Sequence, residues 1–157
     1  MKNWVLGNWK MNQNLNEVDS FLSSLDGFKI ADNIVAGIAP QAIHIQKSNQ
    51  SNITNLKIGS QNCYFEDKGA FTGESSSVFL KEVGCDFILI GHSERRAIFS
   101  EDNELLAKKL NHVLSNDLLA VFCIGETLEQ REGSKTFSII NEQLENGLKD
   151  VLSLIHI

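Results

Sequence analysis

Phe87-Ile88-Leu89-Ile90-Gly91-His92-Ser93-Glu94-Arg95-Arg96 passes from four apolar residues to a cluster of His, Glu and two Arg across one glycine. A short, continuous apolar run reads as a strand covered on both faces. A polar cluster directly after it lies where a sheet fixes side-chain positions while the loop leaves them accessible. Trp4-Val5-Leu6-Gly7 followed by Asn8-Trp9-Lys10-Met11-Asn12 makes the same transition near the N-terminus. Two strand-end junctions, far apart in sequence, are therefore the first candidates for one site.

Working outward, strands and helices alternate. Ile34-Val35-Ala36-Gly37-Ile38-Ala39, stopped by Pro40, reads as a second strand, Leu56 to Gln61 as a third and Leu118 to Ile124 as a fifth. Asn14, three residues before Glu17, predicts a capping box, with Val18, Phe21, Leu22 and Leu25 on the inner face of the helix it opens. Further helices are predicted over Gln41–Ser48, Ser75–Val83 and Asn103–Leu114. Thr127 and Gln130 form a second capping box, its helix pausing at Gly133. The last helix starts at Thr136, with Phe137, Ile140, Leu144, Leu148 and Val151 inward. The strand starts recur every ~23 to 32 residues, the βα-unit length of a barrel or a doubly wound sheet. The Gly-rich stretch Glu66 to Glu74 is a long loop, of the kind that usually carries a function in a compact domain.

With 157 residues, 42% of them hydrophobic, the chain suits one domain with a real core. A net charge of -6 without clustered Lys and Arg argues against a nucleic-acid surface, and an anionic substrate would need a local basic spot. No run approaches the ~18 apolar residues of a membrane span, and Met1-Lys2-Asn3 leads straight into strand-like sequence, so a cytoplasmic location is expected. Cys63, Cys85 and Cys123 are widely spaced and read as reduced thiols that pack as small hydrophobes. His44, His92, His112 and His156 show no metal-ligand spacing, so neither metal nor cofactor is expected. GxGxxG and GxxxxGK[ST] are both absent, which gives no support to a dinucleotide fold or a P-loop.

Gly7-Asn8-Trp9-Lys10-Met11-Asn12 and Gly91-His92-Ser93-Glu94-Arg95-Arg96 resemble the signatures of the triosephosphate isomerase family. Ile38-Ala39-Pro40, Gln61-Asn62, Gly69-Ala70-Phe71-Thr72-Gly73-Glu74 and Cys123-Ile124-Gly125-Glu126 extend the resemblance along nearly the whole chain in the right order. It implies an α/β (β/α)8 TIM barrel, a fold of about 250 residues with its site at the C-terminal strand ends. Five strands are counted here. The chain thus reads as a single partial TIM-barrel domain over 1–157, truncated to about five parallel strands, with a tail over 152–157 of doubtful origin. The family's catalytic glutamate, lid and phosphate-holding glycines would lie beyond those five units, so the chain alone is expected to be nearly inactive.

The resemblance implies that dihydroxyacetone phosphate and glyceraldehyde 3-phosphate interconvert through an enediolate. His92 matches the catalytic electrophile, and triosephosphate isomerase is itself the standard example of an imidazole kept neutral beside a helix N-terminus. Ser93 is expected to cap that helix. Lys10 matches a catalytic and substrate-binding ammonium, Asn8 a substrate-positioning amide, and Glu94 a supporting acid that either orients Lys10 or simply favours the first helical turn. Thr72, Glu74 and Arg95 match a loop contact between subunits, which implies a homodimer. The alternative is a non-catalytic module that holds a phosphate ester through Lys10 and His92 without turning it over.

Overall fold

The five strand-like segments become five parallel strands in the computed structural model, which describes residues 2–51 and 53–151. The order along the chain is β1 (Asn3–Asn8), α1 (Leu15–Ser24), β2 (Ile34–Ala39), a 3-10 turn (Ala42–His44), α2 (Ile45–Asn49) and β3 (Leu56–Ser60). There follow α3 (Ser77–Glu82), β4 (Phe87–Ile90), α4 (Ser93–Ile98), α5 (Asn103–Ser115), β5 (Leu119–Phe122), α6 (Leu128–Glu132) and α7 (Thr136–Gly147). The tail over 152–157 lies outside the described residues. In the sheet each strand pairs with its sequence neighbours, β1-β2-β3-β4-β5, all parallel. A doubly wound sheet reverses its strand order at a switch point, whereas this one never does, and right-handed crossovers then keep every helix on one face. The sheet curls accordingly into part of a TIM-barrel wall.

Alternation along each strand divides the core in two. Ile38, Ile58, Ile88 and Ile90 point outward and pack with Val18, Ile45, Leu80, Leu106, Leu110 and Val113 of the helices. Ala39, Phe87 and Leu89 point to the concave face, with Leu6 and Val121 against them. Phe87 is fully buried. Its ring lies over Gly37 and Gly59 of the two preceding strands, where a β-carbon would collide with it. One large residue thus fills space that two glycines leave open. At the sheet's sides, where β1 pairs only with β2 and β5 only with β4, Trp4, Val5 and Leu119 are largely exposed.

Local signals are reproduced where a side chain supplies them. Asn14 and Thr127 each complete a capping box, Glu17 and Gln130 reaching back to the cap N–H at 2.7 and 2.9 Å. Two expectations differ. The helix expected over Gln41–Ser48 begins as a 3-10 turn, since Gln41 makes no capping bond and its amide instead serves the loop after β1. In α7, Phe137 is 83% exposed rather than inward. Thr136 takes the inner place there, its hydroxyl donating to Glu126 Oε1 at 3.2 Å. Farther along, Gln143 brackets the Gly125 N–H and carbonyl, both at 2.9 Å, and Gly147 admits the Phe122 ring.

Cys63 and Cys85 are buried and free, and burial pushes both thiols from 9.0 up to about 12. Two outcomes follow from the packing. Gly59→Ala should cost about 1–3 kcal/mol through overpacking against Phe87, read by urea denaturation, and Phe87→Leu in the same chain should recover part of it. At pH 8 the native thiolate fraction of Cys63 and Cys85 should lie ~10³-fold below that of the unfolded chain, measured as protection from iodoacetamide by mass spectrometry.

Candidate active site

Because the strands are parallel, β1 and β4 end on the same rim, and the two polar junctions meet there. On the β1 side, Trp9 N–H continues the ladder to Ala39 O at 3.1 Å. The next residue, Lys10, turns into left-handed backbone at φ +52°. Its N–H donates to Asn8 Oδ1 at 2.9 Å, and its ammonium reaches Glu94 Oε1 at 2.8 Å across 84 positions of sequence. That contact holds the Glu94 carboxyl below its ordinary range, chiefly through the Lys10 hydrogen bond. Both side chains are about half exposed, so the pair directs the lysine more than it stabilises the fold.

On the β4 side, Gly91 at φ +79° makes the sharp turn out of the strand, a conformation that a β-carbon disfavours. His92 follows and is itself the N-cap of α4, its Nδ1 accepting from Glu94 N–H at 3.3 Å. Ser93, expected as the cap, is instead the first helical residue, because the imidazole nitrogen already occupies the acceptor position. Glu94 Oε2 also lies 3.4 Å from Nδ1, a contact that would require a proton on that nitrogen. The fixed backbone donor decides between them: Nδ1 accepts, so a neutral ring carries its proton on Nε2.

Asn8, Lys10, Gln61, Glu74, His92 and Glu94 line a single cavity of about 390 Å³, with Arg95 also at its wall. Thr72 is exposed on the loop between β3 and α3. That loop is ordered from within, Tyr64 stacking on Phe65 with ring centroids 4.3 Å apart and meeting Phe71 at a tilt at 4.5 Å. A larger cavity, about 650 Å³, lies between α1 and α2 among Leu22, Phe28, Lys47 and Ile53. It holds none of the strand-end polar residues, so the smaller one is the chemical candidate.

Glu101 and Lys109 escaped the sequence reading, and Arg95, Arg96, Gln61 and Asn62 stood in its motifs without the rim-holding contacts they make. Arg96 donates to Gly91 O at 2.9 Å, Asn103 Oδ1 at 2.8 Å and Cys123 O at 3.3 Å, tying the ends of β4 and β5 to the start of α5. Burial lowers its guanidinium below the usual value. Within the chain Arg95 pairs with buried Glu101 at 2.7 Å, and the same oxygen takes buried Lys109 at 2.6 Å. Lys109 also reaches Asn62 Oδ1 at 2.9 Å, so α4, α5 and the loop after β3 share one charged cluster. Gln61 donates to the carbonyls of Lys10 and Ala39, both at 2.8 Å. Its place directly after a strand, on the same rim as Asn8 and His92, was the available signal.

The model of the triosephosphate isomerase family matches residues 3–155. The triosephosphate isomerase of Endomicrobium trichonymphae is 39% identical over 149 residues, covering 94% of this chain and 60% of that protein. Those of Finegoldia magna and Chlamydia muridarum are 40% and 45% identical, covering 94% and 92% of this chain and 59% and 55% of their own lengths. The chain therefore spans somewhat over half the length of these curated relatives. Among the described residues no helix is long and apolar enough to cross a membrane. A family model matched along nearly the whole chain, relatives at about two identities in five, and a rim carrying the two signature junctions side by side make one conclusion: this chain belongs to the triosephosphate isomerase family.

Proposed function

We propose that this chain carries part of the site of an enzyme that interconverts dihydroxyacetone phosphate and D-glyceraldehyde 3-phosphate through an enediolate. The observation that supports this is the convergence of Lys10, His92, Asn8 and Glu94 on one cavity. An enediolate places negative charge on oxygens that were carbonyl and hydroxyl, so the site must offer donors there. With Nδ1 occupied by the start of α4, His92 presents Nε2–H as one donor. Lys10 supplies an ammonium beside the substrate oxygen and phosphate, giving local positive potential on an acidic chain. Asn8 orients the substrate through its amide, and Glu94 steers Lys10. In the family the proton is removed from carbon by a glutamate after a sixth strand, and the described residues form five. A general base contributes ~10²- to 10⁴-fold, so on its own this chain holds the phosphorylated triose while turning it over slowly.

The protein works in the cytoplasm as a homodimer, in which the loop carrying Thr72 and Glu74 reaches a second subunit near Arg95. The tilted ring contact of Tyr64 with Phe71 inside the loop supports this, since an ordered loop docks at less entropic cost.

In a coupled assay, residues 1–157 should turn over at least ~10²-fold more slowly than the Chlamydia muridarum enzyme. Rates within about tenfold of each other would overturn the division of labour between this chain and the base. Phosphoglycolate should shift the His92 ring signals in a ¹H–¹⁵N spectrum, and Lys10→Met should weaken its binding ~10- to 100-fold, as expected for a lost charge-assisted hydrogen bond. Unmoved His92 signals at saturating phosphoglycolate would sink the site assignment.

A further inference from the structure

Lys10 and Gln13 both lie in left-handed backbone, at φ +52° and +73°, within the same loop after β1. Side chains with a β-carbon avoid that region, and such residues persist only where their surroundings leave no alternative. For Gln13 the surroundings are Gln41 Nε2 at 3.4 Å and His44 Nε2 at 3.2 Å, both on its carbonyl oxygen. For Lys10 they are Asn8 Oδ1 on its N–H and Gln61 Nε2 on its carbonyl. The second N–H of the Gln61 amide goes to Ala39 O, the carbonyl that also accepts Trp9 N–H. One amide nitrogen has two hydrogens, and here each meets a carbonyl oxygen at 2.8 Å. One carbonyl belongs to the end of β2, a fixed part of the sheet, and the other to the strained residue.

We propose that Gln61 is a positioning residue that clamps Lys10 O to the end of β2 and so keeps Lys10 in the backbone conformation that carries its ammonium to Glu94 and into the cavity. The role rests on the isomerase reading only for its consequence in catalysis; the clamp itself is a matter of geometry. Without it, nothing else among the described hydrogen bonds ties the Lys10 carbonyl to the sheet, and the residue relaxes toward φ below zero. The ammonium then leaves Glu94. Gln61 has no need to touch the substrate for this, since its amide hydrogens are already committed to the two carbonyls.

The test follows the Glu94 side-chain carboxyl by ¹³C NMR during acid titration of the whole chain, wild type against Gln61→Met. Glu94 faces Lys10 and His92, while Glu74 and Arg95 line the same cavity. In the wild type the Glu94 midpoint lies below the ordinary carboxylate range. In Gln61→Met, which keeps the volume and removes both donors, it should rise toward that range, as it should in Lys10→Met. Should Gln61→Met fail to fold, Gln61→Asn keeps the polarity but is one methylene too short to span both carbonyls, and the same rise is expected. A folded variant with an unmoved Glu94 midpoint overturns the clamp, whatever the chain does with a triose phosphate. A raised midpoint upholds the clamp even where the isomerase reading fails, so the two failures are distinguishable.

Discussion

Parallel pairing is the constraint on which the site depends. Parallel strands all run the same way, so every strand must end on the same rim and every connection must cross back over the sheet. Asn8 pairs with Ala39 at the end of β2, and Ile90 pairs with Phe122 at the far side. The residues just past those ends, Lys10, Gln61, His92 and Cys123, are thereby neighbours although long stretches of chain separate them. An antiparallel arrangement of the same strands would put alternate junctions at opposite ends. The lysine and the imidazole would then never meet.

Packing supports the rim from below. On the concave face Phe87 spans Gly37 and Gly59, so three adjacent strands are locked in register by one ring and two missing side chains. On the convex face the isoleucines of the strands meet the helices, and only that face is deep enough to bury whole side chains from both layers. Above this apolar floor the rim is fastened by charge. Arg96 holds the carbonyls that end β4 and β5, and the Arg95–Glu101–Lys109 cluster joins α4 to α5. Buried charges of this kind add little net stability, but they leave few alternative arrangements of the loops that bear the site.

Much of this was legible from residues alone wherever the signal was local. Apolar runs marked four of the strands, because strands covered on both faces need no polar alternation, and β3, with Lys57 and Ser60, read as a more polar one. Asn14 with Glu17 and Thr127 with Gln130 marked two helix starts to the residue, because a capping box satisfies its own backbone. Local signals misled where a distant partner competed. Ser93 is a good capping residue, yet His92 reaches the acceptor position first. Phe137 is apolar at a plausible helical spacing, yet Thr136 and Gln143 take the inner face because Glu126 and the Gly125 backbone are there to receive them.

By itself the sequence determined the strand and helix alternation, the two polar junctions and their membership of a family, since each of these is written in neighbouring residues. The βα repeat length suits a barrel and a doubly wound sheet equally; the family motifs implied the barrel, and the tertiary structure shows the strands ordered without a switch. Only the tertiary structure decided which polar side chains serve the site and which serve the frame. Lys109 and Glu101, to which no sequence signal points, are buried against each other, and Gln61 of the third-strand motif is tied to a strained lysine. Hydrogen bonds between residues far apart along the chain have no periodicity or spacing to announce them, so they become visible only when the sheet has brought the donors and acceptors together.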